Sequence, residues 1–323
     1  MNDIKYAAGG GGTAGIVHIG ALKALKESNK NLTSIVGVSA GAIFGGLYFY
    51  YQLKNDFDIE KTYDDMFTSF MELNFKYFQD ANWFYRSVFS ILKYPEKAGL
   101  YKGKKLLKWC LDKTDGIKFK DLPNNSLYIV ATEMYSGSLC VFSKDTTPDL
   151  TIGEAMRASS SIQGYFRPAD IHIDKITNAF FYKNRFAVSH KIPYESLVPL
   201  TNNQGKCLFW DGGNLGNCRN DIAVKIGNYD TPVIGVSLTE DPKMQIDKFN
   251  IFGVLSKTID IMMSSMENVV ISLSEAHSNR PDYLIKPNRF GVSATEFDIT
   301  DEMKLKLIGS GYLETKKVIK SKL

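Results

Sequence analysis

A serine set between two glycines is the residue in this chain best suited to chemistry. Gly37-Val38-Ser39-Ala40-Gly41 is a G-x-S-x-G pentapeptide inside the apolar run Ile35 to Tyr51, IVGVSAGAIFGGLYFYY. Ser34 to Val38 is short, apolar and β-branched and predicts a buried strand, while Ala40 to Tyr51 predicts an apolar helix. A serine at a sharp strand-to-helix turn is held in a strained conformation that pushes its hydroxyl outward. Gly37 and Gly41 stand where side chains would collide as strand and helix close on each other. The helix beginning after Ser39 points free N–H groups and the positive end of its dipole at the same spot. That arrangement suits a nucleophile and a developing oxyanion. Taken alone, the pentapeptide is equally compatible with an ordinary tight turn. Gly235-Val236-Ser237 and Gly291-Val292-Ser293 repeat its first half without the second glycine, and read as strand or loop.

Two other stretches supply context. Ile4 to Ala8 predicts a first strand, followed by Gly9-Gly10-Gly11-Gly12-Thr13-Ala14-Gly15 and an amphipathic helix over Ile16 to Ser28. Strand, glycine loop and helix together make an anion cradle of successive N–H groups. Gly10 to Gly15 matches G-x-G-x-x-G literally, but a dinucleotide site wants an acidic residue at the end of the next strand, and that strand ends in Val38-Ser39. The Gly-Lys-Ser/Thr of a P-loop is absent. If the two strands are parallel neighbours, the cradle lies beside Ser39 and serves as an oxyanion hole. His18, a turn inside the following helix, reads as a structural histidine in preference to a base for Ser39. The third stretch is Lys206 to Trp210, a strand ending in Asp211-Gly212-Gly213. An aspartate at a strand end followed by two glycines suits a side chain held at the edge of a site by tight backbone.

The rest of the chain must position these residues. Ser126 to Met134 predicts an apolar strand with Leu139 to Ser143 as its hairpin partner, Thr151 to Ser161 a helix, and Thr231 to Leu238 another buried strand. Asp56 to Pro95 is helical and aromatic, with Phe67, Phe70, Phe75, Phe78, Trp83, Phe84, Tyr85 and Phe89; it reads as a packing insertion, with a lid or acyl-chain channel as the sharper alternative. Tyr101 to Asp112 is a basic helix that reads as a solvated face. Ala169 to Gly205 has no clear period and reads as an excursion from the core. Ile251 to Leu273 predicts a long helix whose Met262, Met263 and Met266 are core filler, Asp282 to Ile285 a short strand, and Asp301 to Lys320 a terminal helix.

Composition narrows the class. The chain has 323 residues, 44% hydrophobic and 23% charged, in the range of soluble globular proteins. A net charge of +4 and a pI near 8.6 do not argue for a nucleic-acid partner, and none is expected; they tolerate an anionic membrane surface. Cys110, Cys140, Cys207 and Cys218 lack ligand spacing, so they read as reduced thiols of an intracellular protein and no metal is expected. The N-terminus has no signal-peptide pattern, and Ile35 to Tyr51 is short for a membrane span. Ser321-Lys322-Leu323 spells a peroxisomal address, for which chance is the preferred explanation.

In chain order, the glycine loop, the serine elbow and the Asp-Gly-Gly resemble the patatin-like phospholipase family. His18-Ile19-Gly20, Ala131-Thr132-Glu133 with Val141-Phe142-Ser143, and Ala158-Ser159-Ser160-Ser161-Ile162 leading to Phe166 and Pro168 add to the resemblance, which covers roughly Ile4 to Leu238. It implies an α/β fold, three-layer α/β/α with a mostly parallel central sheet. It implies a catalytic core over 1–240, carrying a helical aromatic insertion at about 56–115 and the excursion at about 169–205, with 241–323 as a helical extension packed on it. It implies a lipid acyl hydrolase of the phospholipase A or lysophospholipase type, free of cofactor and metal, working at the surface of membranes. Catalysis then falls to Ser39 and Asp211, with Gly10, Gly11 and Gly12 as oxyanion hole, Gly37 and Gly41 framing the elbow, and Gly212 and Gly213 holding the aspartate. Three departures stand out: Ala14 replaces the usual basic residue of the loop, Gln163 and Arg219 occupy expected prolines, and Phe166 to Asp211 is longer than expected.

A Ser-Asp dyad is chemically sound. Serine needs a base close by, and an aspartate near pKa 4 serves only if burial raises it or positioning compensates. The substrate is then a phospholipid or glycerolipid ester; head group, acyl position, chain length and any protein activator stay open. Two alternatives remain at this point. An α/β-hydrolase or acyltransferase would need a histidine, His277 being the late one, and a non-catalytic lipid-binding protein would keep the fold alone.

Overall fold

Apolar, β-branched runs build one eight-stranded mixed sheet. The structure, a computed structural model, describes residues 2–80, 99–135, 137–176, 205–239 and 282–322. The strands are β1 (Asp3–Ala8), β2 (Asn31–Val38), β3 (Leu127–Glu133), β4 (Ser138–Ser143), β5 (Ala169–His172), β6 (Lys206–Asp211), β7 (Val233–Val236) and β8 (Asp282–Ile285). Their order is β5-β6-β3-β2-β1-β7-β8, with β4 also on β3. From β3 to β8 neighbouring strands run parallel, whereas β4 and β6 are antiparallel to β3 and β5 is antiparallel to β6. Of the parallel strands β1, β3 and β7 are buried on both faces, which is why they read as mostly apolar runs.

Helices cover both faces. They are α1 (Val17–Glu27), α2 (Ala40–Lys54), α3 (Ile59–Met71), α4 (Lys104–Lys113), α5 (Ile152–Ser159), α6 (Asn220–Ala223) and α7 (Asp301–Lys322). The two-residue period of the strands divides the core. Tyr6, Ala8, Ile35, Leu127, Ile129 and Ala131 join the larger cluster with α1, α2, α5 and α7. Ala7, Val36, Val38, Tyr128 and Val130 face a smaller one with Cys218, Ile222 and Ala223. The chain therefore has the expected layered α/β architecture. No described helix is long and apolar enough to cross a membrane.

One pairing detail sets the site. β4 occupies one edge of β3 from Tyr128 to Glu133. The other edge is shared end to end: β2 pairs with it up to Val38↔Val130, and β6 arrives from the opposite direction with Asp211↔Ala131. The residue following β2 and the last residue of β6 therefore meet head-on.

The C-terminal stretch is built into this layer. β8 extends the sheet beside β7, and α7 packs on α1 with backbone almost in contact. A Cβ on Gly20 would lie 1.9 Å from the Ile308 carbonyl oxygen, and one on Gly311 would lie 2.0 Å from that of Val17. Lys304, buried on α7, donates from Nζ to the Leu73 carbonyl at 3.1 Å and the Met71 carbonyl at 2.5 Å, neutralising the C-terminal end of α3.

Two expectations need adjustment. Ala169–His172, read as the start of an excursion, is the edge strand β5; four residues alternating buried and exposed are too few for a period to register. The aromatic stretch is helical over α3 and again as a 3-10 turn at Phe75–Phe78. Its Trp83, Phe84, Tyr85 and Phe89 lie outside the described residues, as do the predicted helix Ile251 to Leu273 with its methionines, and His277.

Candidate active site

Ser39 follows β2 and caps α2 with φ 53° and ψ −117°, a conformation that L-residues avoid. Close backbone approach makes the elbow possible: a Cβ on Gly41 would stand 1.9 Å from the Ala8 carbonyl oxygen, and one on Gly37 would stand 2.6 Å from Ala42 Cα. Three consecutive serines at the end of α5 hold the strained residue and its partner. The Ser39 N–H donates to Ser159 Oγ at 2.8 Å, and that hydroxyl donates onward to the Val130 carbonyl at 2.6 Å. Ser160 Oγ donates to the Ser39 carbonyl at 3.2 Å. The Asp211 N–H donates to the Ser161 carbonyl at 3.0 Å. α5 itself starts in a capping box between Thr151 and Glu154.

The head-on meeting of β2 and β6 brings the two side chains together. Ser39 Oγ donates to Asp211 Oδ2 at 2.6 Å, with both residues 4% exposed. The second carboxylate oxygen accepts from the Gly213 N–H at 2.8 Å, and Thr132 Oγ1 donates to the Asp211 carbonyl at 2.9 Å. Gly212 lets this turn pass under β3, since a Cβ there would be 2.2 Å from the Val130 carbonyl oxygen. Burial pushes the Asp211 carboxyl up to about 6, against the opposing pull of the hydrogen bonds from Ser39 and Gly213.

The glycine loop lies beside the elbow, and a Cβ on Gly10 would come within 2.8 Å of Ser39 Cβ. Its first residues are tied down: Gly9 N–H donates to the Val236 carbonyl, and Gly10 N–H to the Asn217 carbonyl at 3.1 Å, while Asn217 Nδ2 returns a bond to the Gly10 carbonyl at 2.6 Å. Gly10 was expected to be an oxyanion donor, but its N–H is occupied by Asn217. Among the described residues no acceptor meets the N–H of Gly11 or Gly12. Gly12 has φ +56° and packs on Ala294. Ala14, at the position of the usual basic residue, is fully buried, and its N–H closes the turn on the Gly11 carbonyl.

His18 is committed elsewhere. Its Nε2 donates to the Gly9 carbonyl at 2.8 Å and its Nδ1 accepts from Tyr6 Oη at 2.9 Å. Burial lowers its pKa to about 4, keeping the ring neutral. It anchors the loop and has no nitrogen left to serve as a base. Arg219, at an expected proline, makes a two-pronged pair with Asp221 at 2.8 and 2.7 Å.

Ser39 opens onto an apolar cleft of about 520 Å³, mouth included. Its walls come from Ile43, from Phe70, Leu73, Phe75 and Phe78 of the aromatic stretch, from Leu106 of α4, and from Phe166 and Phe297. Phe297 stacks on Tyr165 with ring centres 4.8 Å apart. Such an apolar, aromatic lining suits an aliphatic group with its reactive end at the serine. Three contributors escaped sequence reasoning. The serines Ser159–Ser161 stood out only as part of a familiar-looking segment. Asn217 carried no signal. Phe297 lies beyond the stretch in which the site was sought.

The family model described as patatin-like phospholipase matches residues 7–224. Among solved structures the chain is similar in fold to VipD from Legionella pneumophila, with a TM-score of 0.53 and 17% identity, the match covering 99% of this chain and 67% of VipD. A looser match, with a TM-score of 0.41 and 14% identity, is to the type III effector protein ExoU, covering 99% of this chain and 53% of ExoU. ExoU in its heterodimeric complex with SpcU from Pseudomonas aeruginosa gives a TM-score of 0.36 at 15% identity, covering 99% of this chain and 51% of that one. The chain thus spans about half the length of ExoU. No curated protein matches the chain significantly.

Proposed function

Since the chain belongs to the patatin-like phospholipase family, we propose that it is a lipid acyl hydrolase that cleaves carboxylic esters of phospholipids or glycerolipids through Ser39 and Asp211. The observation that carries this reading is the 2.6 Å hydrogen bond from Ser39 Oγ to the buried Asp211 carboxylate, made by a serine held at φ 53° on a strand-to-helix elbow.

Ser39 Oγ attacks the ester carbonyl as Asp211 Oδ2 takes its proton. A carboxyl raised to about 6 is a stronger base than a free aspartate and is still ionised at neutral pH. The tetrahedral oxyanion is met by the N–H groups of Gly11 and Gly12, each donor worth about 3 kcal/mol, with the N-terminal end of α2 adding positive potential. Collapse expels the alcohol, which receives the proton from Asp211, and leaves an acyl-Ser39. Asp211 then takes a proton from water as it attacks the acyl carbonyl, and returns that proton to Ser39 Oγ as the ester bond breaks and the fatty acid leaves. The acyl chain lies among Phe70, Phe75, Phe78, Phe166 and Phe297. On this reading residues 1–240 form the catalytic core and 241–323 are an extension that supplies Phe297 to the cleft wall.

His18 gives a histidine-dependent mechanism no base, because both of its ring nitrogens are engaged. The test is fatty-acid release from mixed phospholipid vesicles by the wild type, Ser39→Ala and Asp211→Asn. A loss of about 10³-fold or more in both variants is expected. Release that survives Asp211→Asn rejects the dyad, and an inactive but folded wild type supports the lipid-binding alternative.

A further inference from the structure

A second recess lies behind the wall of the acyl cleft, between the start of α4 and β5. It spans about 720 Å³, open mouth included, and is lined by Lys102, Lys104, Glu154, Arg157, Arg167 and Asp170, among others. Its acids are already neutralised. Glu154 pairs with Lys175 at 2.7 Å and caps α5, and Asp170 pairs with Lys206. The nearby Asp80 carboxylate accepts the N–H groups of Gly103 and Lys105 at 2.8 and 3.1 Å.

Its cations form no ion pair among the described residues. Among the described residues no carboxylate lies within 4 Å of Lys102, Lys104, Arg157 or Arg167. Arg157 is 4% exposed and is satisfied by neutral oxygens alone: Nε donates to the Gly103 carbonyl at 3.0 Å, Nη2 to the carbonyls of Arg167 and Lys102 at 2.7 and 3.4 Å, and Nη1 to Ser161 Oγ. It therefore draws together the two backbone segments that carry the other three cations. Arg167 Nε is buried and faces no acceptor. A buried guanidinium held by neutral oxygens, with the carboxylates of Asp80 and Asp170 acting on it only from beyond ion-pair distance, and an unmet N–H beside two lysines leave a place for an anion.

We propose that this recess binds a phosphate group, carried either by a lipid headgroup or by a soluble phosphate ester. Cations converging from two segments, with guanidinium planes among them, match a tetrahedral, multiply charged anion better than a single carboxylate. The recess is separate from Ser39 but shares a wall with its cleft. The Arg157 guanidinium lies 5.4 Å over the ring of Phe166, and that ring lines the cleft. A phosphate here sits next to the substrate's acyl chain and outside the reacting centre.

The experiment uses the full chain with Ser39→Ala, so binding is read without hydrolysis and its outcome does not depend on the catalytic proposal. One arm measures flotation with phosphatidylcholine vesicles with and without phosphatidic acid. The other measures calorimetric binding of glycerol phosphate and inorganic phosphate. Lys104→Gln and Arg167→Gln are each expected to weaken binding about tenfold, the scale of one charge-assisted contact. Lys108→Gln, on the same helix but paired with Asp112 and outside the recess, is expected to stay within about twofold. Binding in both arms means that the phosphate alone suffices, and binding on vesicles alone identifies the lipid headgroup as its source. No binding in either arm overturns the proposal. So does an equal loss in Lys108→Gln, which would mark a diffuse charge effect.

Discussion

Replacing Asp211 with asparagine is expected to stabilise the fold while destroying its chemistry. Asparagine has the same shape, still accepts the Gly213 N–H through Oδ1, and meets Ser39 Oγ through its amide. What it removes is a buried charge. The Asp211 carboxyl titrates at about 6 in the fold against an ordinary value of 3.8. At 1.36 kcal/mol per pH unit this difference corresponds to a penalty of about 3 kcal/mol. The sign follows from which state holds the proton. Between pH 4 and 6 the folded chain keeps a proton that the unfolded chain has released, so stability falls as pH rises through that window. Above it the whole penalty is present, and below pH 4 it is gone. Asp211→Asn should therefore melt about 6 °C higher than the wild type at pH 8, taking about 2 °C per kcal/mol for a chain of this size. The gap should close as pH drops towards 4. Thermal melts of both proteins at half-unit steps from pH 4 to 8 measure it. A difference that does not change with pH, or an asparagine variant less stable at pH 8, would refute the assignment of a buried, charged Asp211.

Three further outcomes follow from the same geometry. Because the base must be ionised, kcat/KM should fall tenfold per pH unit below about 6; a limb near 4 in the pH–rate profile would mean an unshifted carboxylate. Ser159→Ala strands both the Ser39 N–H and the Val130 carbonyl, so kcat should drop about 10- to 100-fold with KM within about twofold; steady-state kinetics showing unchanged kcat would remove the serine cluster from the account. Phe297→Ala should shift preference towards longer acyl chains, each added buried methylene raising kcat/KM about fourfold; a chain-length series of nitrophenyl esters with an unchanged optimum would argue that the chain lies elsewhere.

The parts legible in the sequence are those with strong local causes. Glycines at 37 and 41 are forced by backbone contacts under 3 Å. The β-branched runs in β2, β3 and β7 go with burial on both faces. The strand-to-helix elbow followed from these, while the three-layer arrangement came from the resemblance of the ordered motifs. What stayed hidden is non-local. Nothing in β6 says that it will meet β2 end to end on the edge of β3. That juxtaposition sets Asp211 against Ser39, 172 residues apart. Gly10 looked like an oxyanion donor because it opens the glycine motif of the resemblance, yet the carbonyl that takes its N–H comes from Asn217. β5 has only four residues, too few for alternation to stand out. Phe297 reaches the cleft because α7 is fastened to α1 and α3 through Gly20, Gly311 and Lys304, contacts that no local pattern records. The basic stretch around α4 looked like a solvated face; Arg157, buried and far off in sequence, gathers part of it into a recess.

The most direct test of the dyad is stoichiometric labelling with a fluorophosphonate probe, followed by intact mass. The wild type should take up one probe per chain at Ser39. Ser39→Ala should take up none. Asp211→Asn, folded and more stable, should label at least about 10³-fold more slowly. Rapid labelling of Asp211→Asn, or labelling of Ser39→Ala at another residue with activity retained, would contradict the account.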